Sequence, residues 1–394
     1  MSAPLEDVRV LDFGKHVAGP WCAALLADMG ADVVRVERPG GGDDRFVSPV
    51  ADDGSGAIFL ECNRNKRGIT LKANAPEARG AVEALVRWAD VIVANLPQAT
   101  RAAMNIDWPQ VQNVNPRAIL ASATCFGEGG PYSGRLGFDG VVQAMSGAVA
   151  LSGEPGHPTR CYAPYVDFGT GGYLALGVVT ALLERQRTGV GQHVEGSLLA
   201  TGLVMTNRET IERQVRAVDR QPMGNRGQIA APYDVFATRD GHVFCSVIGN
   251  AQFRRWCRMV ERDDLVDDAR FTSDAARADH VDVLNSIMAS WCEQRTNPDV
   301  IAGLVAHDLA AGPVYRPQDV LDDPHVQAIG QLADVRYPGT PEPAPIARFP
   351  LSLGDADRVG PDRAPTVGEH TDEVLAEAGL TKIDIQALRA ASLV

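Results

Sequence analysis

The residue best placed for covalent chemistry is Asp167. It lies in PYVDFGTGG, residues 164–172, which opens a long apolar stretch running to about Arg187. At a helix start, free amides and the helix dipole stabilise a carboxylate. Glycines at 169, 171 and 172 leave open space over it. A carboxylate kept ionised and approachable is a nucleophile toward an acyl group. The same residue type in the same place is also what a simple helix cap requires, so the two readings stand side by side.

The other charged candidates are cationic. NRNKRG, residues 63–68, puts Arg64, Lys66 and Arg67 ahead of the apolar Ile69 to Leu71. With Arg38 they could form a pocket for a phosphorylated ligand, since guanidinium forks and ammonium groups bind phosphate oxygens. They also fit a charged surface turn. Glu37-Arg38 followed by Pro39 to Gly42 suits an anionic nucleotide edge or a solvated strand end. The turn GKHVAGP, residues 14–20, lacks G-x-G-x-x-G, and Pro20 removes an amide that would face a pyrophosphate, which argues against nicotinamide or flavin. The seven cysteines and eight histidines contain no C-x-x-C, no H-x-x-x-H and no His-acid cluster, so no metal site is expected.

These residues need elements to hold them. Val8 to Phe13, Asp32 to Val36, Asp90 to Ala94, Ala118 to Ala123 and Gln192 to Ser197 read as strands. Helical patterns at Pro20 to Met29, Pro76 to Ala89, Asp167 to Arg187 and Leu198 to Val218 alternate with them. Strands separated by helices imply parallel βαβ units and a doubly wound, Rossmann-like α/β sheet. Near Gly224 the pattern changes to a hairpin, Tyr233 to Phe236 with His242 to Val247. Helices follow at Gln252 to Val260, Val281 to Gln294 and Pro298 to Leu309. We therefore expect a large domain from residues 1–224 and 326–394, with a smaller α+β domain at 225–325. Pro338 to Pro350 reads as a linker, and Thr371 to Ala378 and Ile383 to Ala391 as terminal helices.

Composition bounds the partners. The 37 Lys and Arg against 50 Asp and Glu give a formal charge of -13, which offers no general attraction to nucleic acid or anionic lipid. Met1 to Val10 lacks a secretory pattern, and the longest apolar stretch, Tyr173 to Leu183, is short of a membrane span. A cytoplasmic protein is the expectation.

An ordered series of motifs then carries a resemblance. Leu11-Asp12-Phe13, Ala18-Gly19-Pro20, GADVVRVER (30–38), Asn65-Lys66-Arg67, ADVIVAN (89–95) and Asn115-Pro116-Arg117 come first. GGPY (129–132), Asp139 with Gln143, Asp167 among its glycines, RTGVGQ (187–192) and GEHT (368–371) follow. Together they resemble the class III CoA-transferase family, which includes formyl-CoA transferase, carnitine-type CoA transferases and α-methylacyl-CoA racemase. The resemblance implies transfer of CoA from an acyl-CoA donor to a carboxylate acceptor, with Asp167 as the nucleophile and no permanently bound cofactor. It implies a CoA site lined by His16, Val17, Ala18, Arg38, Leu71, Lys72, Ala73, Asn74, Asn95 and Leu96. Ala103 stands where relatives commonly have an arginine, leaving Arg101 as the neighbouring cation; Lys72 and Asn74 also depart from the family pattern. Racemase relatives depend on a histidine where this chain has Phe138, which cannot shuttle a proton. Racemisation, and CoA-thioester binding without catalysis, are the alternatives to transfer. The resemblance also implies a homodimer whose two chains interlock like rings. Substrate choice is expected to involve the loop Gly224 to Gln228.

Overall fold

Near-continuous apolar or small-residue runs such as VIVA and ILASA let the central strands of the large sheet bury both faces. In the computed structural model, which describes residues 3–353 and 360–394, six strands run parallel: β1 (Arg9–Asp12), β2 (Asp32–Glu37), β3 (Lys66–Thr70), β4 (Val91–Ala94), β5 (Ile119–Thr124) and β6 (His193–Ser197). Their order is β3-β2-β1-β4-β5-β6. The register pairs Val10 with both Val33 and Val91, and Leu120 with His193. The first two residues of the leader reading lie outside the described residues.

Successive residues feed opposite layers, as the period of two in a strand requires. Leu11, Val34, Ile69, Ile92 and Leu120 face a helix at Arg79–Trp88 together with the carboxyl-terminal residues Val374, Leu375, Ile385 and Leu388. Val10, Val33, Val91 and Ile119 face α1 (Ala18–Asp28) and a long helix, Tyr165–Thr188. The chain end is stitched to the sheet by Lys72 N donating to Leu393 O at 2.7 Å and Thr70 N to Thr371 Oγ1 at 3.0 Å.

Between β5 and the long helix lies α2 (Asp139–Met145). The long helix itself is α3 (Tyr165–Thr188), and α4 (Leu198–Arg216) follows β6. Gly189, at φ 76°, closes α3 in the left-handed conformation that glycine adopts without strain. At 24 residues, with an 18-residue window of mean hydropathy 1.5, α3 is long and apolar enough by length and composition to cross a membrane, where the sequence reading set the apolar stretch shorter. α1, β5 and β6 pack along it, and 44% of its most apolar window is buried, so one side of the helix lies on the sheet while Tyr173, Leu176 and Leu183 are exposed.

The described chain divides into two units, Met1–Gly147 with Cys161–Ile211 and Gln327–Val394, and Ala148–Arg160 with Glu212–Val326. The second unit holds an antiparallel sheet of Ala310–Pro313, His242–Ser246 and Tyr233–Ala237 around Trp256, Phe253, Phe271 and Leu284. The helix expected to reach Leu309 stops at Ala306, Asp308 turns at φ 49°, and the Ala310–Pro313 strand follows. The stretch expected to be a linker, Pro338 to Pro350, contains Ala344–Ala347 paired antiparallel with Leu332–Val335. Ile346 packs there on Phe59, Leu60 and Tyr337, and burying that apolar face is what makes the segment a hairpin.

Candidate active site

In a sheet of this order, consecutive connections leave β1 in opposite directions, which opens a crevice beyond the carboxyl ends of β1 and β4. A cavity of about 190 Å³ occupies it, lined by Phe13 to Lys15 after β1, Glu37 at the end of β2 and Arg38 after it, Leu71 to Asn74 after β3, and Leu96 after β4. Of the residues expected to line a CoA site, Arg38, Leu71, Lys72, Ala73, Asn74 and Leu96 are thereby brought together. Leu71 and Ala73 are buried while Lys72 and Asn74 are exposed, the alternation of an extended segment.

The remaining expected residues have other work. Asn95 Oδ1 accepts from Lys15 N at 2.7 Å and its amide donates to Lys15 O at 2.8 Å, so Asn95 clamps the β1–α1 turn and does not line the cavity. Val17 and Ala18 are buried at the start of α1, where Ala18 packs with Val142, Val166 and Leu198. His16 takes φ 59° in that turn and meets Phe138 edge-on, with ring centroids 5.8 Å apart. Arg101 is buried; its guanidinium is engaged by Asp107, Glu128 and the Leu96 carbonyl, which turns it away from the crevice.

The basic stretch is neither a phosphate pocket nor a solvated turn. Lys66 Nζ is buried and donates to Asp12 Oδ2 at 2.8 Å, Pro20 O at 2.8 Å and Asn63 Oδ1 at 3.0 Å. Arg64 pairs with Asp28, and Arg67 with Asp32, Glu373 and Glu377. Glu37 does not reach outward either: Arg45 and Gly42 N hold its carboxylate. Burial pushes the Lys66 ammonium below its ordinary value despite Asp12. Burial alone would raise the Asp12 carboxyl, but Lys66 and Arg35 overcome it and hold it below the usual range. Of these groups Glu37 lines the cavity, together with Arg35 and Asp44, which pair with each other, whereas Arg67 pairs with Asp32 at the amino-terminal end of the strands. The cations left at the surface of the crevice are Arg38, which bonds Gly41 O and Asp43, and Lys72 and Lys15, neither of which forms an ion pair among the described residues. Lys15 was missed in the sequence, where the turn was read for its glycine pattern, Pro20 and residues 16–18.

Asp167 is the third residue of α3, after Tyr165 and Val166, and Pro164 is the N-cap. The cap that an Asp at a helix start might have supplied comes from elsewhere: Asp139 Oδ2 on α2 accepts from Val166 N at 2.9 Å and Asp167 N at 3.2 Å. Among the described residues no hydrogen bond ends on the Asp167 carboxylate. Burial, then the nearby Asp139 charge, push its carboxyl up to about 7. Cys125, next to it, is pushed up to about 11 by burial and by Asp167, and so remains a neutral thiol.

Asp167 and the crevice are held on one support. Gly171 allows α3 to lie against α1 so closely that a Cβ there would sit 2.7 Å from Ala18 O, and Phe168 meets Trp21 edge-on at 4.9 Å. Phe138, expected to replace a catalytic histidine, is exposed at the N-cap of α2. The loop Gly224 to Gln228 lies in the second unit, where Gly224 N donates to Gly153 O.

Comparison with known proteins agrees on one lineage. The family model for CoA-transferase family III matches residues 5–371. A succinate–glutarate CoA-transferase of Agrobacterium fabrum is 33% identical over 388 residues, 95% of each chain. A succinyl-CoA:mesaconate CoA-transferase of Haloarcula marismortui is 33% identical over 390 residues, 95% of this chain and 96% of that one. The crystal structure of a CAIB/BAIF family protein from Brucella suis superposes with a TM-score of 0.85 at 31% identity, covering 96% of this chain and all of the other.

Proposed function

Since the chain belongs to CoA-transferase family III and is a CoA-transferase, we propose that it moves CoA from an acyl-CoA to a free carboxylate through covalent intermediates on Asp167. The observation that carries this reading is a carboxylate in the first turn of α3 that no described side chain engages, because Asp139 takes the amides there. Its oxygen attacks the thioester carbonyl and expels CoA thiolate, leaving an aspartyl–acyl anhydride. The thiolate attacks the aspartyl carbonyl and releases the donor acid, leaving an aspartyl-CoA thioester. The acceptor carboxylate then displaces thiolate to form a second anhydride, and thiolate attacks the acceptor carbonyl, regenerating Asp167. Every intermediate is an activated acyl group, so the thioester's free energy is conserved without ATP.

In this reading Arg38, Lys72 and Lys15 face the phosphates of the CoA moiety, and of the buried Lys66, Asp12 and Arg35 it is Arg35 that lines the crevice. CoA thioesters are substrates, with no cofactor held between turnovers. The relatives named for succinate, glutarate and mesaconate support a short dicarboxylic acid as both donor acid and acceptor. Phe138 supports transfer over racemisation, because its ring carries no exchangeable proton.

The assembly proposed is an interlocked homodimer of one large and one small domain per chain. It is supported by an amino-terminal and a carboxyl-terminal segment closing on one sheet while residues 212–326 belong mainly to a separate unit.

The test is direct. Purified protein incubated with succinyl-CoA and glutarate should give glutaryl-CoA by mass spectrometry, and hydroxylamine added during turnover should leave a hydroxamate on Asp167. Transfer that persists undiminished in a folded Asp167→Ala protein would refute the mechanism.

A further inference from the structure

We propose that Asp139 is a positioning residue for Asp167: acting from another helix, it takes over the cap of α3 and so keeps the Asp167 carboxylate unengaged. The inference rests on the reading of Asp167 as the nucleophile.

An acid at the third position of a helix ordinarily has local work. It reaches back to the amide of the N-cap residue, the reciprocal half of a capping box. Here the N-cap is Pro164, which has no N–H to offer. The other donors within reach are the first-turn amides, and Asp139 Oδ2 accepts those of Val166 and Asp167. Asp139 is itself fixed: Gln143, one turn along α2, donates to its Oδ1, accepts from Cys161 N at 2.9 Å, and reaches Cys161 O at 3.3 Å. Both side chains are buried, at 6% and 1% exposure, so the grip is shielded from water. Two side chains of α2 therefore pin the chain where it enters α3, and both local uses of the Asp167 carboxylate are removed.

The same placement sets two like charges close together, which disfavours ionisation of the outer one. The titratable groups acting on Asp167 are Asp139 from α2 and the neutral Cys125 thiol just after β5, while Tyr165 on its own helix interacts with Asp139 and Cys161. The β1–α1 turn contributes His16 against Phe138, α1 contributes Trp21 against Phe168, and α4 contributes the untitratable Thr201 and Met205 beside Gly169. Among the described residues no cation acts on it to offset Asp139. Ionised Asp167 then accumulates as pH rises through about 7, and the transfer rate should climb over that range.

Asp139→Asn keeps an oxygen for the two amides and removes the charge, so the ascending limb of the pH–kcat profile should move to lower pH. Asp139→Ala removes both, and kcat should fall on the order of tenfold to a hundredfold, with KM for the acyl-CoA changed by less than about threefold. Asn should recover turnover above the Ala level. Circular dichroism and thermal melts establish that each variant folds; if the Ala protein does not, the Asn profile decides. An unshifted limb in Asp139→Asn overturns the proposal, as does a wild-type kcat in a folded Asp139→Ala. Asp167→Asn separates the two levels. An inactive Asp167→Asn beside unaltered Asp139 variants sinks the positioning role alone, whereas an active Asp167→Asn sinks the nucleophile reading beneath it.

Discussion

Replacing Asp167 by Asn should make the protein more stable while removing its activity. The carboxyl ordinarily titrates at 3.8 and is pushed up to about 7 in the fold by burial and by Asp139. Between those values the native state keeps a proton that the unfolded chain has released, so stability declines as pH rises through that window and is lowest above it. At about 1.4 kcal/mol per pKa unit the full displacement caps the penalty near ~4 kcal/mol. The side chain is only partly buried, and solvent screening brings the expected gain from the isosteric amide to about 1–3 kcal/mol at pH 8. Calorimetric melts of wild type and Asp167→Asn at pH 5 and pH 8 provide the assay. The Asn protein should melt higher at pH 8, with a smaller difference at pH 5. Equal melting temperatures at pH 8, or a difference that does not depend on pH, would show that the folded site does not hold Asp167 at an energetic cost.

Arg38→Ala should raise KM for CoA thioesters more than it lowers kcat, because a contact remote from the reacting carbonyl contributes equally to ground and transition states; steady-state kinetics with donor and acceptor varied separately check this. Lys66→Met leaves the buried Asp12 carboxylate with Arg35 at 3.7 Å and the Gly14 amide at 2.8 Å but without its close ammonium partner; a loss of about 3–5 kcal/mol by denaturant titration is expected. Gly171→Ala would place a methyl 2.7 Å from Ala18 O and 3.2 Å from Cys22 N. The overpacking, about 1–3 kcal/mol, should outweigh the ~1 kcal/mol helix preference for Ala and lower the melting temperature. If the dimer is interlocked, tagged and untagged protein mixed under native conditions should not exchange subunits until denaturant is added, and rapid exchange by native mass spectrometry would dismiss that arrangement.

Five of the six strands of the large sheet were legible because runs such as VRVLD and DVVRV are short, apolar and bounded by turns, and their parallel direction followed from the helices between them; the edge strand Lys66–Thr70 was read only as a basic stretch ahead of an apolar one. Asp167 stood out through its glycines and its place before an apolar helix. Its isolation did not, because the residue that caps its helix lies 28 positions earlier in the chain. Distance in sequence also hid the fate of the basic stretch: the acids that neutralise Arg67 include Glu373 and Glu377, about three hundred residues on, so composition around 63–68 could show only the cations. The strand at Ala310–Pro313 escaped for a different reason. Two alanines, a glycine and a proline carry no β signal, and the segment is held by its pairing with His242–Ser246.

The close seat of α3 on α1 has a metric consequence. The turn that begins the crevice leads directly into α1, and Asp167, the proposed nucleophile, sits one turn from Gly171, so under the proposed function a backbone-to-backbone contact fixes the gap between the nucleotide end and the reacting end of the site. The pair of helices acts as a gauge of fixed length: a thioester is presented to Asp167 only if the arm joining it to its nucleotide spans that gap. On this view acceptor and donor acids can vary while the carrier cannot. Thioesters on shortened or lengthened pantetheine arms should be poor substrates whatever acid they carry, because tolerance for the arm is set by two helices that cannot slide apart.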